Sequence, residues 1–191
     1  MTRYMKKNPS QFTERQTASE QIFDGKVLHV RRDEITLPDG NPGVREYIRH
    51  VGAVCVVPLT DEGEIVCVCQ YRYPFSRVLL EIPAGKLDSK EEDPEQAVRR
   101  ELREETGAVC GKLTYLGEYW GSPAILDERI HMYAAQELTF GETDPDEDEF
   151  IETVRVPLEE LENEILAGHV PDGKTQAAVL RVAAMRKRGD L

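Results

Sequence analysis

Three glutamates crowd the end of a short charged segment, AVRRELREETGAV, at residues 97–109. Glu101, Glu104 and Glu105 stand at positions i, i+3 and i+4, so a helix would bring their side chains onto one face. They precede Gly107, a residue type that often ends helices, and the C-terminal end of a helix disfavours carboxylates. The cluster is either a solvated acidic face or a site for a hard divalent cation such as Mg²⁺, which would offset this repulsion.

Other charged residues could support such a site. The stretch DPDEDE at residues 144–149 is a second acidic cluster, which the residues alone favour as a solvated loop. Arg100 can either form a plain structural ion pair or orient the neighbouring glutamates. Arg45 and Arg72 are candidate anion ligands because guanidinium groups match phosphate oxygens. Arg72 could instead pair with Glu81.

Aromatic and histidine residues give weaker signals. An adenine ring would need an aromatic or apolar clamp, for which three residues qualify, although each can equally be a core residue: Phe23, Tyr47 and Tyr71. The histidines form no recognisable catalytic triad and are expected to be structural or surface residues: His29, His50, His131 and His169.

Composition excludes several classes of protein. The 191 residues are 40% hydrophobic and 31% charged, which is typical of a soluble globular chain with one main domain. A net charge of −12 argues against general nucleic-acid binding and against binding to an anionic membrane surface. No apolar run approaches the length of a membrane span, and no apolar stretch follows the basic N-terminus as in a secretory signal.

The four cysteines match no zinc-binding pattern. Three of them lie in valine-rich runs, where a thiol behaves as a small hydrophobic group. We therefore expect reduced, buried cysteines and a cytoplasmic protein. The residues are Cys55, Cys67, Cys69 and Cys110.

Strands come first along the chain, followed by one central helix, further strands and then helices, a pattern that predicts an α+β fold. Residues 1–17 are polar and carry no predicted element. Strands are predicted at 26–37 and 44–50, joined as a hairpin, at 53–59 and 64–72, joined as a second hairpin, and at 79–85, 112–120, 129–138 and 153–156. The central helix begins after Asp93 and ends at Gly107; the later helices end at Gly168 and begin at Asp172.

Part of this sequence resembles the Nudix box, whose pattern is G-x5-E-x7-R-E-U-x-E-E-x-G-U with U aliphatic. The second half matches at every defined position from Arg100 to Ala108. Six residues rather than five separate Gly85 from Glu92, which we interpret as one extra residue in the loop KLDSK. The resemblance implies a Nudix fold, with mixed β-sheets packed between helices as an α/β/α sandwich. It would occupy residues 51–191, after a small N-terminal antiparallel β domain at residues 1–50.

Beyond the box, the chain is similar to the ADP-ribose pyrophosphatase branch of the family over roughly residues 19–185. The similarity rests on short segments and on a proline fifteen residues past the box. In this chain Ser122-Pro123-Ala124 replaces the usual Ser-Pro-Gly. The segments are REYIRH (45–50), QYRYP (70–74), EIPAG (81–85), DEDEFIE (146–152) and DGKT (172–175).

The resemblance implies Mg²⁺-dependent hydrolysis of ADP-ribose to AMP and ribose 5-phosphate, with Mn²⁺ as a possible substitute. The implied metal ligands are the Ala84 carbonyl, Glu101 and Glu105, with Glu104 assisting and Arg100 orienting the glutamates. In this branch a glutamate from the loop before the last strand serves as general base. Glu147 is the best-aligned candidate, and Glu149 is either the alternative base or an additional metal ligand. The implied substrate contacts are Arg45, Arg72, Glu81, Tyr71 and Pro123.

The resemblance also implies a homodimer that exchanges its N-terminal strands between subunits. Three other functions remain to be weighed. One is the same chemistry on another nucleotide sugar, such as GDP-mannose or ADP-glucose. A non-catalytic module that senses ADP-ribose is disfavoured, because the box glutamates are all present and there is no basic appendage. mRNA decapping is disfavoured by the acidic balance of the chain.

Overall fold

The computed structural model describes residues 4–144 and 150–191. The chain divides into two compact units. The first comprises Met1–His50 and Ser122–Glu128, and the second comprises Val51–Gly121 and Arg129–Leu191. The sequence analysis assigned residues 122–128 to the second domain, whereas their contacts lie with the first. No helix in the described ranges combines the length and apolar character that crossing a membrane requires.

The first unit is a three-stranded antiparallel sheet of β1 (Arg15–Asp24), β2 (His29–Thr36) and β3 (Pro42–Arg49), in that order. The predicted hairpin corresponds to β2 and β3, which pair from His29 opposite Arg49 to Thr36 opposite Pro42. The sequence analysis predicted no strand before residue 26, which was wrong, because β1 adds a third strand by pairing with β2. Every residue of β1 is exposed, so its sequence lacks the alternation that marks a half-buried strand.

The segment Ser122–Glu128 belongs to the first unit because it pairs with the end of β3. The Ile48 amide donates to the Ile125 carbonyl at 2.8 Å, and the Asp127 amide donates to the Ile48 carbonyl at 3.1 Å. The turn that contains Pro123 is closed by a hydrogen bond of 3.0 Å from the Ile125 amide to the Ser122 carbonyl.

The second unit contains two sheets and three α-helices among its described residues. In chain order its elements are β4 (Ala53–Pro58), β5 (Glu64–Arg72), β6 (Arg77–Glu81), β7 (Ala84–Lys86), α1 (Pro94–Thr106), β8 (Ala108–Tyr119), β9 (Ile130–Phe140), β10 (Ile151–Pro157), α2 (Leu158–Leu166) and α3 (Gly173–Arg188). One sheet has the order β7-β4-β9-β8 and is mixed, because β4 runs parallel to β9. The other is antiparallel, in the order β10-β5-β6.

The second predicted hairpin was wrong, because β4 and β5 lie in different sheets. A tight turn does join them, with the Gly63 amide donating to the Thr60 carbonyl at 3.0 Å. Beyond the single bridge between Leu59 and Ile65, however, the strands diverge. Every residue of β4 is buried, so neither of its faces carries a polar pattern that could indicate its neighbours.

The strand predicted at 79–85 is also divided between the sheets. Its first part, β6, pairs with β5, and its last part, β7, pairs with β4. The break falls at Ile82 and Pro83, where proline has no amide hydrogen to donate to a sheet ladder. The Pro83 carbonyl accepts from the Val56 amide at 3.0 Å. The crossing carries the chain from one sheet to the other and delivers Ala84 and Gly85 to the end of α1.

Alternate residues of β4 contact opposite layers of the core. Val54 and Val56 lie in a cluster with Val98 and Leu102 of α1. Cys55 and Val57 lie in a second cluster, which includes the three buried residues Cys67, Val179 and Val182 from β5 and α3. Helices therefore cover both faces of the mixed sheet, which confirms the predicted α/β/α layering of an α+β chain.

All four cysteines carry free thiols, of which those of Cys55, Cys67 and Cys110 are buried and that of Cys69 is partly buried. Burial raises the pKa of the Cys55 and Cys67 thiols to about 12. Because the thiolate is the reactive form of cysteine, these two side chains act as small core residues rather than as nucleophiles.

Candidate active site

Helix α1 has well-defined ends, which fix the register of its glutamates. The Asp93 carboxylate accepts from the Glu95 amide at 3.0 Å, and Pro94 takes the first helical position. At the other end Gly107 has φ +69°, and its amide donates to the Arg103 carbonyl at 2.8 Å. A Cβ on Gly107 would stand 2.4 Å from the Gly141 carbonyl oxygen, so glycine is required on two grounds.

The last carbonyls of α1 are capped by the chain that follows β9 and by β10. The Asp144 amide donates to the Glu104 carbonyl at 2.9 Å, and the Thr153 hydroxyl donates to the Glu105 carbonyl at 3.3 Å. These bonds stabilise a helix end whose carbonyls have no partners within the helix. The predicted bases Glu147 and Glu149 lie outside the described residues. The described chain on each side of them is bonded to the glutamate turn.

Glu101 lies against the backbone of Gly85. A Cβ built on Gly85 would be 2.0 Å from Cδ of Glu101 and 2.1 Å from its Oε1. The glycine at the start of the box therefore makes room for this carboxylate. Its backbone needs no left-handed conformation, because Gly85 is not among the glycines with positive φ.

Glu105 is only 4% exposed. Its Oε2 accepts a hydrogen bond of 3.1 Å from the Ala84 amide. This contact fixes the end of α1 to the start of β7 and places the predicted backbone ligand beside a predicted carboxylate ligand. The assignment of the Ala84 carbonyl as a metal ligand stays a prediction.

Arg100 gathers the box carboxylates around one guanidinium group. Its Nη1 donates to Glu101 Oε1 at 2.7 Å and to Glu104 Oε2 at 3.2 Å. Its Nη2 reaches Glu92 Oε1 at 3.4 Å. Glu92 therefore joins the cluster despite the extra loop residue, and its Oε2 accepts from the Asp88 amide at 2.5 Å.

The environment of Arg100 keeps it charged. Burial alone would lower its pKa, but Glu101, followed by Asp88 and Glu104, raises the pKa above its ordinary value. Arg100 thus contacts two of the three predicted metal-binding glutamates and offsets their mutual repulsion. Its role in orienting them for a metal stays a prediction.

The donor chemistry of this turn suits Mg²⁺ or Mn²⁺, because its side chains offer only carboxylate oxygens. The absence of a side chain at Gly85 leaves the space that the Glu101 carboxylate occupies. Within residues 4–144 and 150–191, no three His, Cys, Asp or Glu side chains are arranged so that they could hold one metal ion. In this arrangement Glu101 and Glu104 instead contact Arg100.

A second buried charge cluster lies at the end of β5. Arg72 forks onto Glu81, with Nε to Oε1 and Nη2 to Oε2 both at 2.7 Å. Lys174 also donates to Glu81 Oε2, and Glu81 is only 2% exposed. Glu81, which was predicted as a substrate contact, is therefore the buried partner of Arg72. This is the Arg72–Glu81 pairing that the sequence analysis gave as an alternative to phosphate binding by Arg72.

This cluster sets the charge states of its members. Burial would raise the pKa of Glu81, but hydrogen bonds and charges from Arg72 and Lys174 lower it below its ordinary value. The pKa of Arg72 is raised chiefly by its hydrogen bond to Glu81, and also by the charges of Asp172 and Glu105. Arg72 is therefore within electrostatic reach of the box glutamate Glu105.

Sequence reasoning did not single out Lys174 as a functional residue, although it noted the segment DGKT. A lysine in the first turn of a helix is normally exposed, whereas this residue is only 9% exposed. The available signal was that DGKT, EIPAG and QYRYP all resemble the same family branch. The fold brings Lys174, Glu81 and Arg72 of these segments into one hydrogen-bonded network.

Three further residues were predicted as substrate contacts: Tyr71, Arg45 and Pro123. Tyr71 is 53% exposed on β5, next to Arg72. In the first unit, Arg45 Nε donates to Glu14 Oε2 at 3.0 Å, and Pro123 is exposed in the turn before β9. Their roles in substrate binding stay predictions.

Comparison with known families decides what this architecture is. Residues 49–181, which include the glutamate turn, Gly85 and the Arg72 cluster, match the model of the NUDIX domain. The chain belongs to the Nudix family. Residues 14–48, which form most of the three-stranded sheet of this Nudix protein, match the nucleoside diphosphate sugar hydrolase N-terminal domain. The family resemblance and fold predicted from the box are thereby confirmed.

Relatives of this Nudix protein extend over nearly its whole length. It is 44% identical to an ADP-ribose pyrophosphatase of Bacillus subtilis (strain 168), over 87% of this chain and 90% of the relative. It is 42% identical to a methanol dehydrogenase activator of Bacillus methanolicus, over 88% and 91%. It is also 31% identical to a GDP-mannose pyrophosphatase of Pectobacterium atrosepticum, over 91% and 96%.

A solved structure described as an ADP compounds hydrolase shares the fold of this Nudix protein. The two superpose with a TM-score of 0.79, over 93% of this chain and 97% of the other. Their sequence identity of 22% means that this likeness concerns the fold alone.

Proposed function

We propose that this Nudix protein hydrolyses the diphosphate of ADP-ribose to AMP and ribose 5-phosphate, with Mg²⁺ as cofactor and Mn²⁺ as a possible substitute. The observation that carries the proposal is the meeting of two box glutamates, Glu105 and Glu101, with the backbone of Ala84 and Gly85 at the end of α1. The choice of ADP-ribose is supported by the name of the Bacillus subtilis relative and by the length of that match.

The residues of the glutamate turn have distinct proposed roles. Glu101, Glu105, Glu104 and the Ala84 carbonyl would hold the divalent cation, and Arg100 would keep the carboxylates aligned. A bound divalent cation supplies charge neutralisation for a diphosphate and lowers the pKa of a coordinated water. The Ala84 amide already holds Glu105 in place at 3.1 Å, so one carboxylate is preorganised.

The attacking water needs a base, and Glu147 is our candidate. The described chain before it, at Asp144, bonds to the Glu104 carbonyl, and the chain after it, at Thr153, bonds to the Glu105 carbonyl. These attachments at both ends support a role for the intervening glutamates at the same turn. Glu149 is the alternative base or an additional metal ligand.

Substrate binding would fall mainly to arginine. The half-exposed Arg72 would bind the diphosphate, and Arg45 the diphosphate or the terminal ribose, because guanidinium donors match phosphate oxygens. The exposed ring of Tyr71 would stack on adenine, and Pro123 would be a further substrate contact. The acidic net charge of −12 supports small-molecule substrates rather than nucleic acids or membranes as partners.

We further propose a homodimer that exchanges N-terminal strands. The outer strand β1 leaves one edge of the three-stranded sheet open, and all of its residues are exposed within a single chain. Proteins usually cover or blunt such edges. The unit also exposes several large apolar side chains, namely Ile22, Phe23, Val27, Leu28 and Val44. Light scattering is expected to give the mass of a dimer, and a fully active monomer at micromolar concentration would reject this assembly.

The second candidate is the same reaction on GDP-mannose or ADP-glucose, favoured by the similarity to a GDP-mannose pyrophosphatase over 91% of the chain. A panel of nucleoside diphosphate sugars, with chromatography of the released mononucleotide, separates the candidates. We expect the highest kcat/KM for ADP-ribose. A higher kcat/KM for GDP-mannose would mean that GDP-mannose is the preferred substrate, with the hydrolytic chemistry unchanged. We place the enzyme in the cytoplasm, because four free thiols suit a reducing compartment.

A further inference from the structure

Four side chains of alternating charge form a row beneath the end of β5. Arg72 forks onto Glu81, and Lys174 donates to the same carboxylate. Lys174 Nζ also donates to Asp172 Oδ2 at 3.0 Å. Because Glu81 is 2% exposed and Lys174 is 9% exposed, water screens these central contacts poorly. The four formal charges sum to zero, as a buried cluster requires.

The far end of the row is fixed to the backbone. Asp172 Oδ2 accepts from the Thr175 amide at 2.9 Å and from its hydroxyl at 2.5 Å, which caps α3. Thr175 Oγ1 in turn accepts from the Ile82 amide at 3.0 Å. Two residues further on, the Ala84 amide donates to Glu105. The stretch from Glu81 to Ala84 thus connects the charged row directly to the glutamate turn.

The near end of the row remains able to bind a ligand. The Arg72 side chain is 39% exposed. Its Nε and Nη2 bond to Glu81, while Nη1 has no hydrogen-bond partner within residues 4–144 and 150–191. One edge of the guanidinium is therefore held rigidly by protein, and the opposite edge can donate to an anion.

We propose that Lys174 is a positioning residue for substrate binding: it fixes Glu81, and Glu81 fixes the Arg72 guanidinium so that its outer edge meets the diphosphate. This inference rests on the proposed function. Without Lys174, one oxygen of Glu81 loses its only other side-chain donor in the described chain. The Glu81 carboxylate can then move together with the Arg72 guanidinium instead of fixing its position. The preorganisation of the anion site is therefore lost.

A double-mutant cycle tests this route of action. We expect Lys174→Met to raise the KM for ADP-ribose about tenfold, inside the usual range of coupling between contacting residues, while kcat changes by less than about threefold. In an Arg72→Ala background the same substitution should change kcat/KM by less than about twofold, because the group it positions is absent. All rates are taken well below the Tm of each variant.

Three comparisons complete the test. Lys187→Met on the same helix is the matched control, because the Lys187 side chain is 68% exposed and pairs with Glu162 at the surface. Its kinetics should equal those of the wild type. Lys174→Arg retains the cation and should keep KM closer to the wild-type value than Lys174→Gln does. This second pair decides the question if Lys174→Met does not fold.

The outcomes separate the two proposals. The positioning role is overturned if Lys174→Met lowers kcat/KM by the same factor in the wild-type and the Arg72→Ala backgrounds. It is also overturned if Lys174→Arg and Lys174→Gln have the same KM. A wild-type protein that cuts one of the nucleoside diphosphate sugars keeps the proposed chemistry in either case. A wild type that cuts none rejects the proposed function, and this inference with it.

Discussion

The Glu101 carboxylate occupies the space that a side chain at Gly85 would need, with Cδ of Glu101 only 2.0 Å from the position of a Cβ there. Gly85→Ala should displace the carboxylate while leaving the backbone of β7 intact. Because small misplacements of reacting groups cost about 10²-fold in rate, we expect kcat to fall by about that factor. The measurement is steady-state hydrolysis, with the Tm as a check on folding.

Gly141→Ala is the matched control for this substitution. A Cβ at Gly141 would meet its nearest neighbour, the Gly107 carbonyl oxygen, at 3.8 Å, an ordinary contact. This variant should keep the wild-type kcat. If Gly85→Ala is equally active, Glu101 has no place in the catalytic site.

Glu105 offers the sharpest test of the metal-binding turn. In Glu105→Gln the side-chain carbonyl oxygen can still accept from the Ala84 amide, so the fold should survive. The loss of one anionic ligand should abolish hydrolysis and can raise the Tm without metal, because like charges in one helical turn repel. Glu95→Gln, in the exposed first turn of α1, is the control and should retain activity. Full activity in Glu105→Gln would remove Glu105 from the metal ligands.

The proposed base predicts a defect in kcat alone. Glu147→Gln should lower kcat by about 10²–10⁴, the usual contribution of a general base. KM should change little, because the substitution is isosteric and arginines would bind the diphosphate. Glu149→Gln should cost less, and its loss should be partly restored by more Mg²⁺ if Glu149 is a metal ligand. Metal titration of both variants therefore separates the roles. Near-normal kcat in Glu147→Gln makes Glu149 or Glu104 the leading candidate.

Buried Glu81 should make stability depend on pH. Its folded-state pKa lies below the ordinary value of about 4.3, because Arg72 and Lys174 outweigh the effect of burial. A depressed folded-state pKa contributes stability that is present above the unfolded-state pKa and is lost as pH falls through the folded-state pKa. At pH 7, Glu81→Gln should cost about 3–5 kcal/mol, the usual loss on breaking a buried ion pair.

Thermal unfolding between pH 7 and pH 3 measures this dependence. The difference in Tm between wild type and Glu81→Gln should narrow as the pH falls below the unfolded-state pKa of about 4.3, because the unfolded wild-type chain then binds a proton that folded Glu81 does not yet bind. The exposed Glu159→Gln is the control and should follow the wild type throughout. A constant difference across the range would contradict the charge assignment of Glu81.

The central helix and its chemistry could be predicted because their signals are local. The cap at Asp93, the stop at Gly107 and the spacing of the glutamates all lie within fifteen residues. The predicted strand positions were mostly correct for the same reason. The predicted pairing of the strands was not always correct. Strand β4 is apolar on both faces, so its sequence does not indicate which strand lies beside it.

What could not be predicted depends on contacts between distant segments. Every residue of strand β1 is exposed, so its sequence carries no burial pattern, and it forms a strand by pairing with β2. The burial of Lys174 follows from its contact with Glu81, 93 residues earlier in the chain. No periodicity within either segment encodes that meeting.

The most direct test is an assay of the purified protein with ADP-ribose and Mg²⁺, with and without excess chelator, in which the products are separated by chromatography. We predict equimolar AMP and ribose 5-phosphate with metal and no turnover in chelator. Turnover that persists in excess chelator would contradict the metal-dependent mechanism. The absence of any AMP from metal-loaded protein would contradict the proposed hydrolysis of ADP-ribose.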